Sequence, residues 1–514
     1  MNILLINVPS RRGKAGFGLP MGLLYVGGII ERCGHKAKIL DIYLDDIELK
    51  DFDTNSLDKI YKTIEDFKPS IIGYGGIATS YGRTKKISCA VKVNYPDIFQ
   101  ITGGPLSSVY ELLLTKTAID VVFHGETEVN LPIFLARFEQ KEPFNDISGI
   151  SYLQDRKIIK NTPAQQIEDL DTIPLPAYHL VEAERYFHNA EDWYNGQQLV
   201  LDSNFHYRDI AKRIGNGKYY FDIVTSRGCT HRCLFCYRHV HGIRQHSVAY
   251  VVRHLKYLKE TYDIRGFEFN DELFNSRLEW VTAFCDALED EDLNIFYIVG
   301  GARVDKINEK ILRRLKDTGC VGISYGHESG SDTILKEYNK GTTCKQNKDI
   351  TLLTTKIGIS CPVQLVIGSP GESLRTIYET IQFLKDLDAY RYSLNYLIAL
   401  PETPIWEYVK ENRLVGNIEM YLDSVSEYGG KPILNLTKMP EKVWKNLHRL
   451  VYKEVRLQYY RRTKTKNKLL YIYLFAISYR ISPLLYRILS HIPLKIKRKL
   501  IPRWIKSRIG EFSF

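Results

Sequence analysis

Apolar and polar positions along this chain fall into two stretches that share one rhythm. From Met1 to about Phe138, short apolar runs alternate with segments whose apolar residues recur at helical spacing, which predicts a parallel sheet with helices on its faces. The strands predicted there are Ile3 to Asn7, Ala37 to Leu40, Ile71 to Tyr74, Gln100 to Thr102 and Val121 to Phe123, with helices at Met21 to Arg32 and Leu57 to Phe67. From Phe221 to about Leu400 the rhythm returns and predicts six strands: Phe221 to Thr225, Gly266 to Phe269, Ile295 to Val299, Val321 to Tyr325, Val363 to Ile367 and Ser393 to Ile398. Helices are expected between them at Ser247 to Thr261, Leu278 to Leu288, Asn308 to Thr318 and Leu374 to Leu387. Six such units in parallel imply a barrel or partial barrel, whose sites gather at the carboxyl ends of the strands.

The stretch between is less regular. Pro163, Pro174 and Pro176 mark an extended linker, and residues 181 to 220, rich in Tyr, Asn and His, carry no readable element. The expected class is therefore α/β: a doubly wound parallel sheet over 1–147, a linker over 148–220, a partial (β/α)6 barrel over 221–405 and a helical C-terminal region over 406–514. With 514 residues and 44% hydrophobic content the chain can bury two or three cores and is not disordered by composition. The opening run MNILLINVPS has no basic region before it and no small-residue cleavage site after it, so no secretory signal is expected. The net charge of +11 is unevenly placed: residues 441 to 514 hold 19 Lys and Arg against 3 Asp and Glu, and the remainder is net negative.

The densest chemistry lies just past the first strand of the second stretch, in TSRGCTHRCLFCYRH from Thr225 to His239. Cys229, Cys233 and Cys236 have C-x3-C-x2-C spacing. Three thiolates on one loop can hold three irons of a four-iron cluster and leave the fourth open, because a full set of ligands would be four. A Cys3His zinc site completed by His239 is the alternative, although structural zinc usually staples a module with little core of its own. A disulfide framework fits poorly, since the other six of nine cysteines are scattered singly and suit a reducing compartment. In the first stretch, Gly73, Gly75 and Gly76 follow the third strand and Gly103 and Gly104 the fourth, where backbone can approach a ligand or simply turn. No G-x-G-x-x-G is present.

These features resemble the radical S-adenosylmethionine (SAM) superfamily, and within it the subfamily with an N-terminal cobalamin-binding domain, which includes anaerobic magnesium-protoporphyrin monomethyl ester cyclases and class B methyltransferases. The resemblance rests on TSRGCTHRCLFCYRH, FEFNDELF from Phe267, GARVDKINEKILRRLKDTGC from Gly301, GHESGSDTILKEYNKGTT from Gly326, IGSPGES from Ile367 and LPETP from Leu400. It implies a [4Fe-4S] cluster on the three cysteines, with Phe235 beside the last of them, and SAM chelated to the open iron and cleaved to a 5′-deoxyadenosyl radical. Asn270, Asp271 and Glu272 stand where the family has Gly-Gly-Glu and are the candidates for the SAM amino group. The resemblance further assigns Arg303 to the SAM carboxylate, Glu328 and Ser329 to the ribose, and Ile367 with Gly368 to the adenine edge. Three of these residues also allow other readings: Asp271 and Glu272 as a helix-start pair, and Arg303 as a partner of Asp305.

The N-terminal domain is similar to a Rossmann-like cobalamin module through GYGGIATSYG, ITGGPLSS and FHGETE, but the D-x-H-x-x-G motif that supplies an axial histidine is absent. Gly75, Gly76, Thr79, Gly103, Gly104 and Ser107 are the expected corrin and nucleotide-tail contacts, with His124, Gly125 and Glu126 as second choices. The implied activity is cobalamin-dependent methyl transfer to an unactivated carbon of a small-molecule or lipid-linked substrate, driven by a low-potential donor of flavodoxin or ferredoxin type. The alternatives are radical cyclisation, rearrangement or carbon-carbon bond formation without methyl transfer, and, from another class, a zinc-stapled binding protein. In the tail, Leu469 to Tyr479 is apolar for eleven residues, short of the roughly 20 that span a bilayer. The protein is expected to be cytoplasmic, and the basic amphipathic stretch after that run, ending in KIKRK at Lys495 to Lys499, predicts either contact with an anionic membrane surface at the inner face or a helix docked on the barrel with a solvated basic face. No nucleic-acid module is recognised.

Overall fold

The structure of the protein, a computed structural model, describes residues 1–8, 18–42, 52–189, 218–389, 392–426 and 432–462. The basic amphipathic tail lies outside them. The first sheet holds β1 (Asn2–Asn7), β2 (Lys36–Asp41), β3 (Ile71–Gly75), β4 (Phe99–Thr102), β5 (Val121–Phe123), β6 (Ile150–Gln154) and β7 (Lys157–Lys160), in the order β2-β1-β3-β4-β5-β6-β7. β1 to β5 are parallel, and β5, β6 and β7 pair antiparallel. The strand order reverses between β1 and β3, which is where open sheets of this kind take ligands. The expectation of an irregular linker from residue 148 is corrected here, because β6 and β7 extend the first sheet to Lys160.

The second sheet comprises β8 (His188–Asn189), β9 (Lys218–Ile223), β12 (Ile264–Asn270), β13 (Phe296–Ala302), β14 (Cys320–Glu328), β15 (Val363–Ile367) and β16 (Tyr392–Tyr396), in the order β16-β15-β14-β13-β12-β9-β8. Six of these are parallel, as the rhythm predicted, and β8 adds an antiparallel edge. β10 (Ser226–Gly228) and β11 (Ile243–Gln245) form a separate antiparallel hairpin past β9. The intervening helices start on side-chain caps legible in the sequence: Ser247 accepts from Tyr250 N, Asn308 from Ile311 N and Ser373 from Thr376 N.

The chain beyond β7 packs rather than merely links. Gly27 on the helix Met21–Arg32 leaves room for it, since a Cβ there would lie 2.4 Å from Leu180 Cδ1. On the other side, the Tyr178 hydroxyl meets His254 Nε2 at 2.8 Å on the barrel helix Val248–Tyr262. One apolar core consequently runs through both sheets, from Ile3 and Leu5 through Tyr178 to Phe267 and Tyr325. A second tie comes from the helix Ile418–Ser426, which returns to the first sheet: Leu422 is buried in that core and Glu419 accepts from Tyr81 at 2.6 Å and Lys85 at 2.9 Å. These ties set the carboxyl ends of the two sheets against a common space.

Candidate active site

A cavity of about 560 Å³ opens at the switch point of the first sheet, a size typical of ligand pockets. Gly75, Gly76, Gly103 and Gly104 line it from one side, and Ser226, Arg227, Asn270 and Glu272 from the other. A second cavity of about 480 Å³ adjoins it and is lined by Cys229, Cys233 and Cys236, with Ala78 and Ser108 from the first sheet. Ile77, Pro105, His239 and Glu272 line both, so the two spaces share a wall.

The cysteines owe their place to the hairpin. Gly228 has φ +85, and a Cβ there would come within 2.4 Å of the Gly242 carbonyl oxygen, so the loop 229–242 closes only on glycine. Its tip is held by Leu234 N donating to Tyr338 O at 2.9 Å, Ile405 N to Leu234 O at 2.9 Å and Asn339 Nδ2 to Arg232 O at 3.0 Å. Phe235 packs edge-on against Tyr338, its ring centroid 5.1 Å away, and so belongs to this anchorage. Cys233 is buried, Cys229 half-buried and Cys236 exposed. A hydrogen bond from Cys236 holds the Cys233 thiol well below its ordinary value, and the Lys340 and Arg303 charges add to the effect.

The trio after β12 divides. Asn270 and Glu272 line the first cavity, and burial pushes the Glu272 carboxyl above its ordinary range. Asp271 is corrected. Its Oδ1 accepts from Thr225 N (2.7 Å), Ser226 N (2.6 Å) and Ser226 Oγ (2.9 Å), and its Oδ2 from Thr225 Oγ1 (2.8 Å), so the carboxylate is spent pinning the base of the hairpin. Gly301, at φ +64, lets β13 end beneath this turn; a Cβ there would lie 1.7 Å from the Asp271 carbonyl oxygen.

Arg303 is buried and pairs with Asp305 through Nε at 2.8 Å and Nη2 at 3.1 Å, while Nη2 also donates to Lys340 O at 2.7 Å. The reading of Arg303 as a partner of Asp305 is thus what the geometry displays. Glu328, left-handed at φ +59, accepts from Lys340 Nζ at 2.8 Å, and Gly326 carries no Cβ because one would sit 2.4 Å from Glu328 Oε1. Ser329 Oγ meets Thr380 Oγ1 at 3.3 Å and accepts from Ser331 N at 3.1 Å. Ile367 is buried at the end of β15, and Gly368, at φ +95, donates its N–H to Glu372 at 3.3 Å.

On the first-sheet side, Thr79 and Ser107 are buried and line neither cavity, and Ser107 bonds the side chain of Tyr237, which lines the cysteine cavity. His124 also turns away: its Nε2 meets Ser151 Oγ at 2.8 Å, and burial pushes its pKa down to about 4. Sequence reasoning missed Lys340, His231, Arg238 and Tyr237, although the last two immediately follow the final cysteine.

Two families match this chain, the radical SAM superfamily over residues 223–384 and the B12 binding domain over residues 15–135. Residues 223–384 thus resemble a radical SAM domain and residues 15–135 a B12 binding domain. It is 27% identical to an uncharacterized methyltransferase of Pyrococcus horikoshii over 424 residues, 81% of this chain and 84% of the relative. It is 24% identical to the anaerobic magnesium-protoporphyrin IX monomethyl ester cyclase of Synechocystis, over 68% of this chain and 65% of that protein. Among solved structures, the radical SAM methyltransferase TsrM from Kitasatospora setae, with cobalamin and a [4Fe-4S] cluster bound, superposes with a TM-score of 0.60 at 17% identity over 80% of this chain and 75% of that one. The cobalamin-dependent SAM radical enzyme OxsB gives 0.59 at 16% identity, over 85% of this chain and 58% of that one.

The chain is an enzyme, and its two matched domains imply a [4Fe-4S] cluster, SAM and cobalamin as cofactors. The zinc-stapled binding protein falls with that assignment. The residues present fit the groups. Three thiols open onto one cavity together with buried His231 Nε2 and Arg238 Nε, neither of which has a hydrogen-bond partner among the described residues. On the other side the wall is glycine backbone, and Gly104, at φ +63, has nothing within 4 Å of its Cβ position, so a flat ligand edge can approach the chain. Among the described residues no helix is long and apolar enough to cross a membrane.

Proposed function

We propose that this radical SAM enzyme is a cobalamin-dependent methyltransferase that alkylates an unactivated carbon of a small molecule. The observation that supports it is the shared wall: residues of the corrin-side cavity and of the cysteine cavity are the same Ile77, Pro105, His239 and Glu272. A substrate seated there touches both sites. Cys229, Cys233 and Cys236 would hold the cluster, and Asn270, Glu272, Arg303, Glu328 and Ser329 with Ile367 and Gly368 would surround SAM. Gly75, Gly76, Gly103 and Gly104 would face the corrin. When bound, the cluster and SAM supply a radical that abstracts hydrogen, and cobalamin carries the methyl group.

The chain's own residues would do the rest. Ile77, Pro105 and Leu400 exclude water from the space where a reactive carbon sits, and the unpartnered Arg238 Nε donor and His231 Nε2 ring nitrogen are there for a polar substrate group. Lys340 keeps the Glu328 carboxylate oriented. A low-potential donor of flavodoxin or ferredoxin type would deliver the electron. Anaerobic purification with hydroxocobalamin supplied, followed by a visible spectrum and an assay for 5′-deoxyadenosine, tests the reading. Corrin absorption together with deoxyadenosine is expected. Deoxyadenosine without bound corrin would overturn methyl transfer in favour of ring closure or rearrangement.

A further inference from the structure

One carboxylate joins the two halves of this site. Glu126 follows β5 and is 4% exposed. Its Oε1 accepts from Arg227 Nη1 at 3.0 Å and Arg244 Nη2 at 3.0 Å, and its Oε2 from Arg244 Nη1 at 2.8 Å and Ile167 N at 3.0 Å. Arg227 also reaches Glu128 at 2.6 Å, and Arg244 donates to the Ile167 carbonyl. Arg227 and Arg244 are cross-strand partners on the β10–β11 hairpin, so both guanidiniums leave one face of it toward the first sheet. Arg227 stands two residues before Cys229, and Glu126 lines the corrin-side cavity together with Arg227 and with Gly125, which has φ +68.

A guanidinium presents a planar donor fork matched to a carboxylate, and the Arg244 contact is the bidentate form. Removing one member of a buried pair leaves the others charged and uncompensated, which is the costly case. Burial pushes the Glu126 carboxyl up, but Arg244 and Arg227 outweigh it and hold the group below its ordinary range.

We propose that Glu126 is a positioning residue that locks the loop after β5 to the cysteine-bearing hairpin and so fixes the separation of the corrin and cluster sites. The role assigned to the lock rests on the functional reading above; the lock itself does not. Hydrogen exchange in the full chain, before any cofactor is added, tests the lock. Glu126→Gln, which keeps the side-chain volume, should raise exchange in the opposite segment 226–245 about tenfold or more, because an amide nitrogen or a neutral oxygen then faces donors that the carboxylate held, Arg244 Nη1 and Ile167 N among them. Arg244→Gln should reciprocally raise exchange in 124–131. After reconstitution, Glu126→Gln should keep wild-type iron and sulfide while binding hydroxocobalamin about tenfold more weakly. Exchange changes confined to the substituted side would overturn the lock, and unchanged hydroxocobalamin affinity would overturn the positioning role. A wild-type chain that takes up neither iron nor corrin would sink the functional reading while leaving the exchange result to decide the lock.

Discussion

Substituting Asp271 separates a structural carboxylate from a ligand. Thr225 and Ser226 are 0% and 2% exposed, so in Asp271→Ala two buried backbone N–H groups lose their acceptor. At about 1–3 kcal/mol for each buried donor the loss is about 2–6 kcal/mol, a large part of the 5–15 kcal/mol typical of folded proteins. Asp271→Asn keeps Oδ1 for its three donors and can donate to Thr225 Oγ1 in place of accepting from it. Burial pushes the folded carboxyl from 3.8 up to about 6, against the pull of its donors. The folded chain thus holds this proton more tightly than the unfolded chain, so the group's stabilising contribution is full below about pH 4 and is lost as pH rises through about 6. Two pKa units correspond to about 3 kcal/mol, by which Asp271→Asn should gain on wild type between pH 4 and pH 7. Urea unfolding at both pH values, with iron content after reconstitution, makes the measurement. Asp271→Ala with wild-type stability and iron, or Asp271→Asn as damaged as Asp271→Ala, would refute the reasoning.

Gly301→Ala should abolish iron uptake or folding, since its Cβ would lie 1.7 Å from the Asp271 carbonyl, whereas Gly416→Ala, with nothing within 4 Å, should match wild type in thermal unfolding. Leu422→Ala should cost about 2–5 kcal/mol and release the helix Ile418–Ser426 from the first sheet, seen as faster exchange in 418–426. Burial pushes His254 and His327 down to about 3, so their contribution is full above pH 6.5 and is lost as pH falls and the unfolded chain takes up protons. The thermal midpoint should accordingly drop between pH 7 and pH 5, and less so in His327→Asn; an identical slope in that variant would contradict the assignment.

The parallel strands were legible because each is a compact apolar run bounded by turn residues, and β5 and β15 match their predicted limits residue for residue. The β6–β7 hairpin was not, and its turn shows why. Asp155 and Arg156 both take left-handed backbone, φ 49 and 64, where such turns ordinarily announce themselves with Asn-Gly or Asp-Gly. The site was legible where its chemistry sits on one loop, as with Cys229, Cys233 and Cys236. It was not where partners are distant in the chain: Asp271 binds Thr225 across 46 residues, and Glu126 binds Arg244 across 118. Lys340 escaped notice because a single lysine in a polar stretch carries no signal until β14 and the segment after it bring it to Glu328.

The proposed chemistry needs two cofactors facing one another across a common wall. Electron paramagnetic resonance of the doubly loaded protein, with cob(II)alamin and the reduced cluster together, measures that directly. The cob(II)alamin signal should be broadened by the neighbouring cluster in wild type and sharpen, with corrin retained, when Cys229, Cys233 and Cys236 are all replaced by Ala. A signal equally sharp in both proteins would contradict it.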